Sequence, residues 1–349
     1  MPEESSPPSS PSETPLPSRT LGRTGLEVGI LGFGGAPIGD LYAELDEAEA
    51  IDTIVAAVKG GANFLDTSPL YGQGLSEHRI GAALRRVADS PVVVSSKVGR
   101  YADPFSPKDP DSGYVGGLPH ALTCDYTYDG TMRAMEQSLL RLGRDHINIV
   151  LVHDLDVWTH GEALEGYYEE AMGGAVRALT DLREQKVIAG YGVGVNEADM
   201  AERFARDCDP DAILLAGRYS LLEQPALASF LPLMQERNIG VILGGVFNSG
   251  ILATGAIPGA RYNYQEAPPE IAARVQQIDD VCQRHGIPLR RAALQFVLGH
   301  PAVSCLVLGA VRPSEVTSQI EDLAHPAPTD LWAELKELQL LSEEPPTPS

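Results

Sequence analysis

Cysteine is scarce in this sequence, and its spacing excludes two structural uses of thiols. Only four cysteines occur among 349 residues, and none lies in a C-x-x-C arrangement. Such scattered cysteines form neither a disulfide framework nor the ligand set of a structural zinc site. We therefore expect no metal ion and four free, mostly buried thiols, namely Cys124, Cys208, Cys282 and Cys305.

Positive charge is also scarce. The chain has 26 Lys and Arg residues against 48 Asp and Glu residues, which gives a formal net charge of −22. A field of that sign repels the phosphates of nucleic acids and of anionic lipids. We therefore expect neither a nucleic acid nor a membrane surface as a partner.

Long apolar runs and a leader-like segment are both missing. No apolar run approaches the roughly 18 residues that a membrane-spanning helix requires. The first residues, MPEESSPPSSPSETPLPS, lack the basic and apolar regions of a secretory signal. These features predict a soluble, cytoplasmic protein. Pro, Ser and Glu dominate both ends, which predicts disordered tails at 1–18 and 342–349 around a single domain at 19–341.

Short apolar runs alternate with amphipathic helical patterns along the domain. Eight runs are candidate strands: GILGFG, NFLDT, VVVSSKV, INIVLVH, YGVGV, AILLAG, GVILGGV and SCLVLGA. Helical spacing of apolar residues separates them, as in DEAEAIDTIVAAVKGG. Eight strand–helix units in about 300 residues favour a closed (β/α)8 barrel (a TIM barrel) over an open sheet. Before the first strand, RTLGRTGLEVG predicts a β-hairpin that caps the barrel floor.

Polar side chains stand where three consecutive strands end. Asp66 and Tyr71 follow the second strand, Lys97 ends the third, and His153 ends the fourth. Reactive groups of such barrels lie at the carboxyl ends of the strands. Because these strands are neighbours, we expect the four side chains to converge.

Together these groups suit proton transfer by a phenol. A buried ammonium at Lys97 is expected to lower the pKa of Tyr71 from its usual value of about 10. Asp66 would keep Lys97 charged, and a neutral His153 would hydrogen-bond a substrate oxygen. No nucleophile stands beside a base, which argues against acyl-enzyme hydrolysis. Taken singly, each residue has a structural alternative, such as a turn cap or a solvated strand-end charge.

The sequence resembles the aldo-keto reductase family from about Thr20 to about Ala324. The resemblance rests on LDTSPLYG with SEHRIGAAL, VVVSSKVG, SLLRLG before DHINIVLVHD, and LGAVRPSEV, which occur in the family's order. It implies a (β/α)8 barrel that moves hydride between NAD(P)H and a carbonyl or alcohol. It also implies a catalytic tetrad, with Tyr71 as the proton donor or acceptor, formed by Asp66, Tyr71, Lys97 and His153.

A narrower likeness is to the sugar-dehydrogenase branch of that family. This branch includes L-fucose, D-arabinose and D-threo-aldose 1-dehydrogenases and pyridoxal 4-dehydrogenase. The likeness rests on HDLDVWTHG, CDYTYDG, LAGRYSLLEQ and GGVFNSGIL. It implies oxidation of the anomeric carbon of a sugar to a lactone. The alternatives are oxidation of pyridoxal, a general aldehyde or ketone reductase, and a nucleotide-sensing regulatory subunit like the family's potassium-channel partners.

The cofactor side departs from the common family pattern at three points. Asn196 follows Gly194-Val195 where many members have Ser-Asn, Ala216 aligns with a common glutamine, and Gly244 aligns with the usual stacking aromatic. The resemblance nevertheless implies cofactor contacts, although the glycines also suit ordinary tight turns. The expected cofactor-binding residues are Gly35, Ala36, Asn196, Phe247, Asn248, Ser249, Gly250, Gly309, Arg312 and Gln319.

Three specificity features complete the expectations. Glu315 aligns with an arginine of NADP-preferring relatives, so NAD is the expected cofactor. NADP is the alternative, because Arg312 could swing in and pair with its 2′-phosphate. Trp158 and His160 stand in a loop over the site, where they are candidates for sugar contacts. A segment of about 28 residues after the third strand, longer than most βα loops, is expected to roof a polar pocket.

Overall fold

The structure is a computed structural model that describes residues 16–342 and 344–348. The predicted disorder of residues 1–15, 343 and 349 lies outside these ranges. A strand already begins at Ser18, within the predicted tail, and Pro345 is buried. The division into a domain and two tails otherwise stays a prediction.

Eight parallel strands close into a barrel, as predicted. Each strand pairs with the strands that precede and follow it in the barrel, including the fifth with the sixth. The eight candidate segments are all strands, and the fold class is confirmed. Their bounds are Leu31–Gly34, Phe64–Asp66, Val93–Val98, Ile149–His153, Gly190–Val195, Ala212–Ala216, Gly240–Gly244 and Val303–Leu308.

Helices surround the barrel because their apolar stripes pack onto its outer face. The first helix begins and ends at residues that favour helix ends. Asp46 caps its start by accepting a hydrogen bond from Glu49 N at 2.9 Å, and Gly60 follows its last residue. The α-helices are Glu47–Lys59, Leu75–Arg86, Tyr128–Leu142, Val157–His160, Leu164–Gly173, Ala175–Glu184, Ala198–Asp207, Phe230–Arg237, Ile251–Thr254, Pro269–Arg284, Leu289–Leu298, Pro313–Ala324 and Thr329–Glu337. None of these helices is long and apolar enough to cross a membrane.

The predicted N-terminal hairpin closes the barrel floor. Ser18–Thr20 pairs with Glu27–Gly29 in antiparallel fashion. Leu21 and Val28 of this hairpin are fully buried against side chains of the barrel interior. Gly22 has φ +51°, and a Cβ there would overlap the backbone of the seventh strand. The tight approach of the hairpin to the barrel therefore requires glycine.

Three loop structures were not predicted. Arg100–Pro107 and His120–Cys124 form a hairpin inside the long loop after the third strand. Two helices, Val157–His160 and Leu164–Gly173, occupy the loop after the fourth strand, and Arg261–Tyr262 with Gln265–Glu266 forms a short hairpin after the seventh. The Pro, Gly and Asp content of these segments is typical of loops, and their structure depends on tertiary contacts.

Candidate active site

Lys97 and Asp66 form a buried ion pair at the carboxyl ends of neighbouring strands. Lys97 Nζ donates to both carboxylate oxygens of Asp66, at 2.7 and 2.8 Å, and to Thr67 O at 2.9 Å. The two side chains are only 1% and 3% exposed. Burial raises the pKa of Asp66, and the ammonium of Lys97 opposes that rise. The charge of each group is thus matched directly by the other.

Tyr71 presents its phenol beside this pair. Lys97 Nζ lies 5.4 Å from the centre of the Tyr71 ring. The ring meets His153 edge to face, with centroids 5.7 Å apart. Tyr71 is partly exposed, whereas its three predicted partners are buried. The structure therefore brings the four predicted side chains together.

The direction of the Tyr71 pKa differs from the sequence-based expectation. Burial first, and then the negative charge of Asp66, raises this pKa well above its usual value. The prediction that Lys97 lowers it is wrong for this structure. The physical reason is that Asp66, hydrogen-bonded to Lys97, offsets the attraction of the ammonium for a phenolate.

His153 is neutral, as expected. Burial and the nearby cations of Lys97 and Arg100 hold its pKa well below the usual range. Its Nδ1 lies 3.0 Å from Ser68 Oγ, and its Nε2 lies 3.4 Å from Asp154 Oδ1. The imidazole therefore has a polar neighbour at each nitrogen.

Arg100, Asp154 and Ser68 complete the polar shell, and sequence reasoning missed all three. Arg100 Nη1 donates to Asp154 Oδ2 at 3.0 Å. Asp154 has φ +50°, which is uncommon outside glycine. The only sequence signal for these residues is their place directly beside the strand-end motifs.

Aromatic side chains line the opening above Tyr71. Tyr114, from the loop after the third strand, has its ring 6.4 Å from that of Tyr71. Trp158 packs against Tyr264 with centroids 6.3 Å apart, and both are more than half exposed. His160, the other predicted substrate residue, instead lies 2.9 Å from Tyr126 OH and stacks near Tyr167. Trp158 therefore faces the cleft, whereas His160 contacts Tyr126 and Tyr167 on the inner side of the loop that carries both residues.

Two hollows flank the loop that follows the seventh strand. One is lined by Trp158, Asn196, Ala216, Gly217, Arg218, Gly245, Asn248, Ser249, Asn263 and Tyr264. The other, larger one is lined by Phe247, Ala253, Arg290, Gly309, Ser314, Glu315, Ser318, Gln319 and Asp322. The predicted cofactor residues of strands five to eight thus fall mostly in two adjoining spaces.

A family model described as the aldo/keto reductase family matches residues 30–340. The chain belongs to the aldo/keto reductase family. Pyridoxal 4-dehydrogenase of Microbacterium luteolum is 40% identical over 335 residues, which cover 93% of this chain and 98% of that protein. D-threo-aldose 1-dehydrogenase of a Pseudomonas species is 37% identical over 330 residues, covering 93% and 97%. As an aldo/keto reductase, the protein is an oxidoreductase.

Solved structures of the family share the fold. An aldo-keto reductase from Bacillus halodurans in its holo form superposes with a TM-score of 0.70 at 24% identity and covers 94% of this chain and 97% of its own. Glycerol dehydrogenase from Gluconobacter oxydans also gives 0.70, at 21% identity, covering 93% and 94%. At this level of identity the likeness concerns the barrel alone.

The residues of this aldo/keto reductase fit the NAD(P) cofactor that is typical of the family. Asn248, Ser249 and Gly250 have φ of +46°, +60° and +105°, a left-handed turn in which Asn248 N donates to Gly245 O at 2.9 Å and Gly250 N donates to Phe247 O at 3.0 Å. The buried Asn248 Oδ1 has no hydrogen-bond partner among the residues that the structure describes. The turn also lies between the two hollows, as a pyrophosphate bridge between nicotinamide and adenosine requires.

Four predicted cofactor residues, Gly250 of this turn and Gly35, Ala36 and Arg312, do not line either hollow. Gly35 and Ala36 follow the first strand; Gly35 N donates to Asp66 O at 2.8 Å, and a Cβ at Gly35 would overlap Ser76 Oγ. Arg312 is largely exposed and lies 3.8 Å from Glu49, directed away from the larger hollow. Sequence reasoning missed Arg218, Tyr264 and Arg290, which line the hollows.

Proposed function

We propose that this protein is an NAD(P)-dependent aldose 1-dehydrogenase, which oxidises the anomeric carbon of a sugar to a lactone. The observation that carries the proposal is the convergence of the Tyr71 phenol, the buried Lys97–Asp66 pair behind it and His153 at its edge. This arrangement handles one proton on a substrate oxygen. The 37% identity to D-threo-aldose 1-dehydrogenase supports the same substrate class.

In the proposed mechanism each side chain has one task. Tyr71 exchanges a proton with the substrate oxygen: the neutral phenol donates it in the reductive direction, and the phenolate, formed after the phenol has released its own proton, accepts the anomeric proton in the oxidative direction. His153 donates a hydrogen bond to the same oxygen. Lys97 stabilises the negative charge that passes through the phenol, while Asp66 holds Lys97 in place. Bound NAD(P)+ supplies the hydride acceptor.

The cofactor would lie along the two hollows. Asn196 and Arg218 suit the carboxamide side, the Asn248–Gly250 turn suits the pyrophosphate, and Gly309 and Gln319 suit the adenosine. Gln319 Nε2 already donates to Gly309 O at 2.9 Å, which fixes this edge of the larger hollow. Glu315 lines the same hollow and favours free ribose hydroxyls, hence NAD, over a 2′-phosphate.

Pyridoxal is the second candidate substrate. Its formyl and hydroxymethyl groups are on adjacent ring carbons and close into a cyclic hemiacetal, so oxidation to a lactone needs the same groups as the sugar reaction. Tyr114, Trp158 and Tyr264 give the cleft aromatic walls suited to a pyridine ring. The 40% identity to pyridoxal 4-dehydrogenase supports this alternative.

Substrate oxidation assays test the proposal directly. Reduction of NAD+ and NADP+ would be followed by absorbance with a panel of aldoses, including L-fucose and D-arabinose, and with pyridoxal. The expected result is turnover with one substrate class and release of a lactone. Cofactor binding without turnover of any of them would contradict the proposal and favour a nucleotide-sensing role.

A further inference from the structure

Ser68 occupies a constrained position between Tyr71 and His153. The residue is fully buried. Its carbonyl oxygen accepts a hydrogen bond from Tyr71 N at 3.1 Å, and its Oγ accepts one from Leu70 N at 3.0 Å. The same Oγ lies 3.0 Å from His153 Nδ1. One residue therefore shapes the turn that carries the phenol and contacts the imidazole.

The hydrogen-bonding capacity of a hydroxyl limits what this contact can be. A serine hydroxyl has one hydrogen and two lone pairs. Leu70 N occupies one lone pair, so the hydroxyl either donates to a bare His153 Nδ1 or accepts from a protonated one. The described contacts of Ser68 Oγ include no other acceptor for its hydrogen. Donation to Nδ1 is the arrangement in which the hydroxyl uses that hydrogen.

The second nitrogen of the ring points to the same arrangement. His153 Nε2 lies 3.4 Å from Asp154 Oδ1, and the other oxygen of Asp154 accepts from Arg100 at 3.0 Å. A bare Nε2 lone pair would be repelled by that carboxylate, whereas an Nε2–H is attracted to it. Because the ring is neutral, it carries one proton, and both neighbours assign that proton to Nε2.

We propose that Ser68 is a positioning residue that holds His153 in the tautomer protonated at Nε2, with Asp154 acting on the other side of the ring. This inference rests on the proposed function insofar as His153 meets the substrate. An Nε2–H donates a hydrogen bond to the substrate oxygen as charge develops there. The opposite tautomer presents a lone pair to that oxygen and repels it.

The tautomer is measurable without substrate or activity. Long-range ¹H–¹⁵N spectra of protein labelled at histidine distinguish a protonated ring nitrogen from a bare one, and His153→Gln identifies the signals of His153. We expect bare Nδ1 and protonated Nε2 in the wild-type protein. A wild-type His153 protonated at Nδ1 would overturn the inference, whatever the enzyme oxidises.

Variants separate the hydroxyl from the space it fills. Ser68→Ala is expected to shift His153 toward a mixture of tautomers and to lower kcat about tenfold, the usual effect of losing one hydrogen bond; Ser68→Thr, which keeps the hydroxyl, should retain the wild-type tautomer. Ser76→Ala is the matched control, because Ser76 is also fully buried and its Oγ contacts Thr67 at 2.8 Å. A Ser68→Ala protein whose His153 keeps the wild-type tautomer contradicts the proposal. If the wild-type protein has His153 protonated at Nε2 but oxidises none of the substrates, only the proposed function is contradicted.

Discussion

Lys97 Nζ lies 2.7 and 2.8 Å from the two carboxylate oxygens of Asp66, in a site that is almost completely closed to water. The ammonium has no other charged partner among its described hydrogen bonds. Its remaining bond goes to Thr67 O. The two residues therefore depend on each other for the stability of their charged forms, although they belong to different strands.

Breaking this pair on one side should destabilise the fold. Lys97→Met leaves a buried carboxylate unpaired, and we expect a loss of about 3–5 kcal/mol in the free energy of unfolding. The double variant Lys97→Met/Asp66→Asn should recover much of that loss because no buried charge remains. Urea unfolding of the two variants measures the effect. Equal stability of the single and double variants would show that the two charges are not coupled.

Removing the phenolic hydroxyl of Tyr71 should abolish most turnover and leave cofactor binding intact. Tyr71→Phe keeps the ring against His153 and removes only the titrating group. We expect kcat to fall by about 10²–10⁴, as for the loss of general acid–base catalysis. Tyr114→Phe is the matched control, since its ring is adjacent and also loses a hydroxyl. A Tyr71→Phe enzyme that keeps more than half of the wild-type rate would refute the assignment.

The strand-end rule was enough to find the four central side chains, because parallel strands of a barrel must end on one face. The cofactor residues of strands five to eight came instead from the resemblance to the family, and six of them line the two hollows. The strand-end rule could not supply the contact between Ser68 and His153, since Ser68 reads in sequence as an ordinary turn residue. Nor could it give the direction of the Tyr71 pKa, which depends first on how deeply the ring is buried and then on the negative charge of Asp66.

His160 shows a second limit of sequence reasoning. Its place in a loop above the site suggested a substrate contact, but its Nε2 lies 2.9 Å from Tyr126 OH. Tyr126 OH also donates to His153 O at 2.7 Å. Position along the chain identifies the loop, whereas only side-chain packing shows which face of it reaches the cleft.

The long loop after the third strand should control substrate affinity. Val115 N and Gly116 N donate to Asp40 O at 3.0 and 3.3 Å, which anchors the segment that carries Tyr114. Asp103 pairs with Ala121, so a short turn can close the hairpin after residues 104–118 are removed. We expect this deletion to raise KM for the sugar more than KM for the cofactor.

Steady-state kinetics with each substrate varied in turn measure that difference. Tyr114→Ala is the companion variant, because it removes the aromatic wall and leaves the length of the loop unchanged. If it reproduces the effect of the deletion, the wall accounts for the loop's contribution. Sugar kinetics that stay the same in both variants would leave the loop without a role in binding.

Cofactor preference gives the last test. Glu315 lines the larger hollow and accepts a hydrogen bond from Val311 N at 2.8 Å, so its carboxylate is held near the expected adenosine ribose. Arg312 lies near Glu49 instead, and its side chain is 65% exposed. We therefore expect a higher kcat/KM for NAD+ than for NADP+, because a carboxylate repels a 2′-phosphate.

Two variants identify which residue sets this preference. Glu315→Gln removes the repulsion and should move the ratio of the two kcat/KM values toward NADP+, while Arg312→Ala should leave that ratio unchanged. The same kinetics at low and high salt provide a check, since screening weakens an exposed charge effect. A tenfold preference of the wild-type enzyme for NADP+ that is lost in Arg312→Ala would show that Arg312 turns into the hollow and outweighs Glu315.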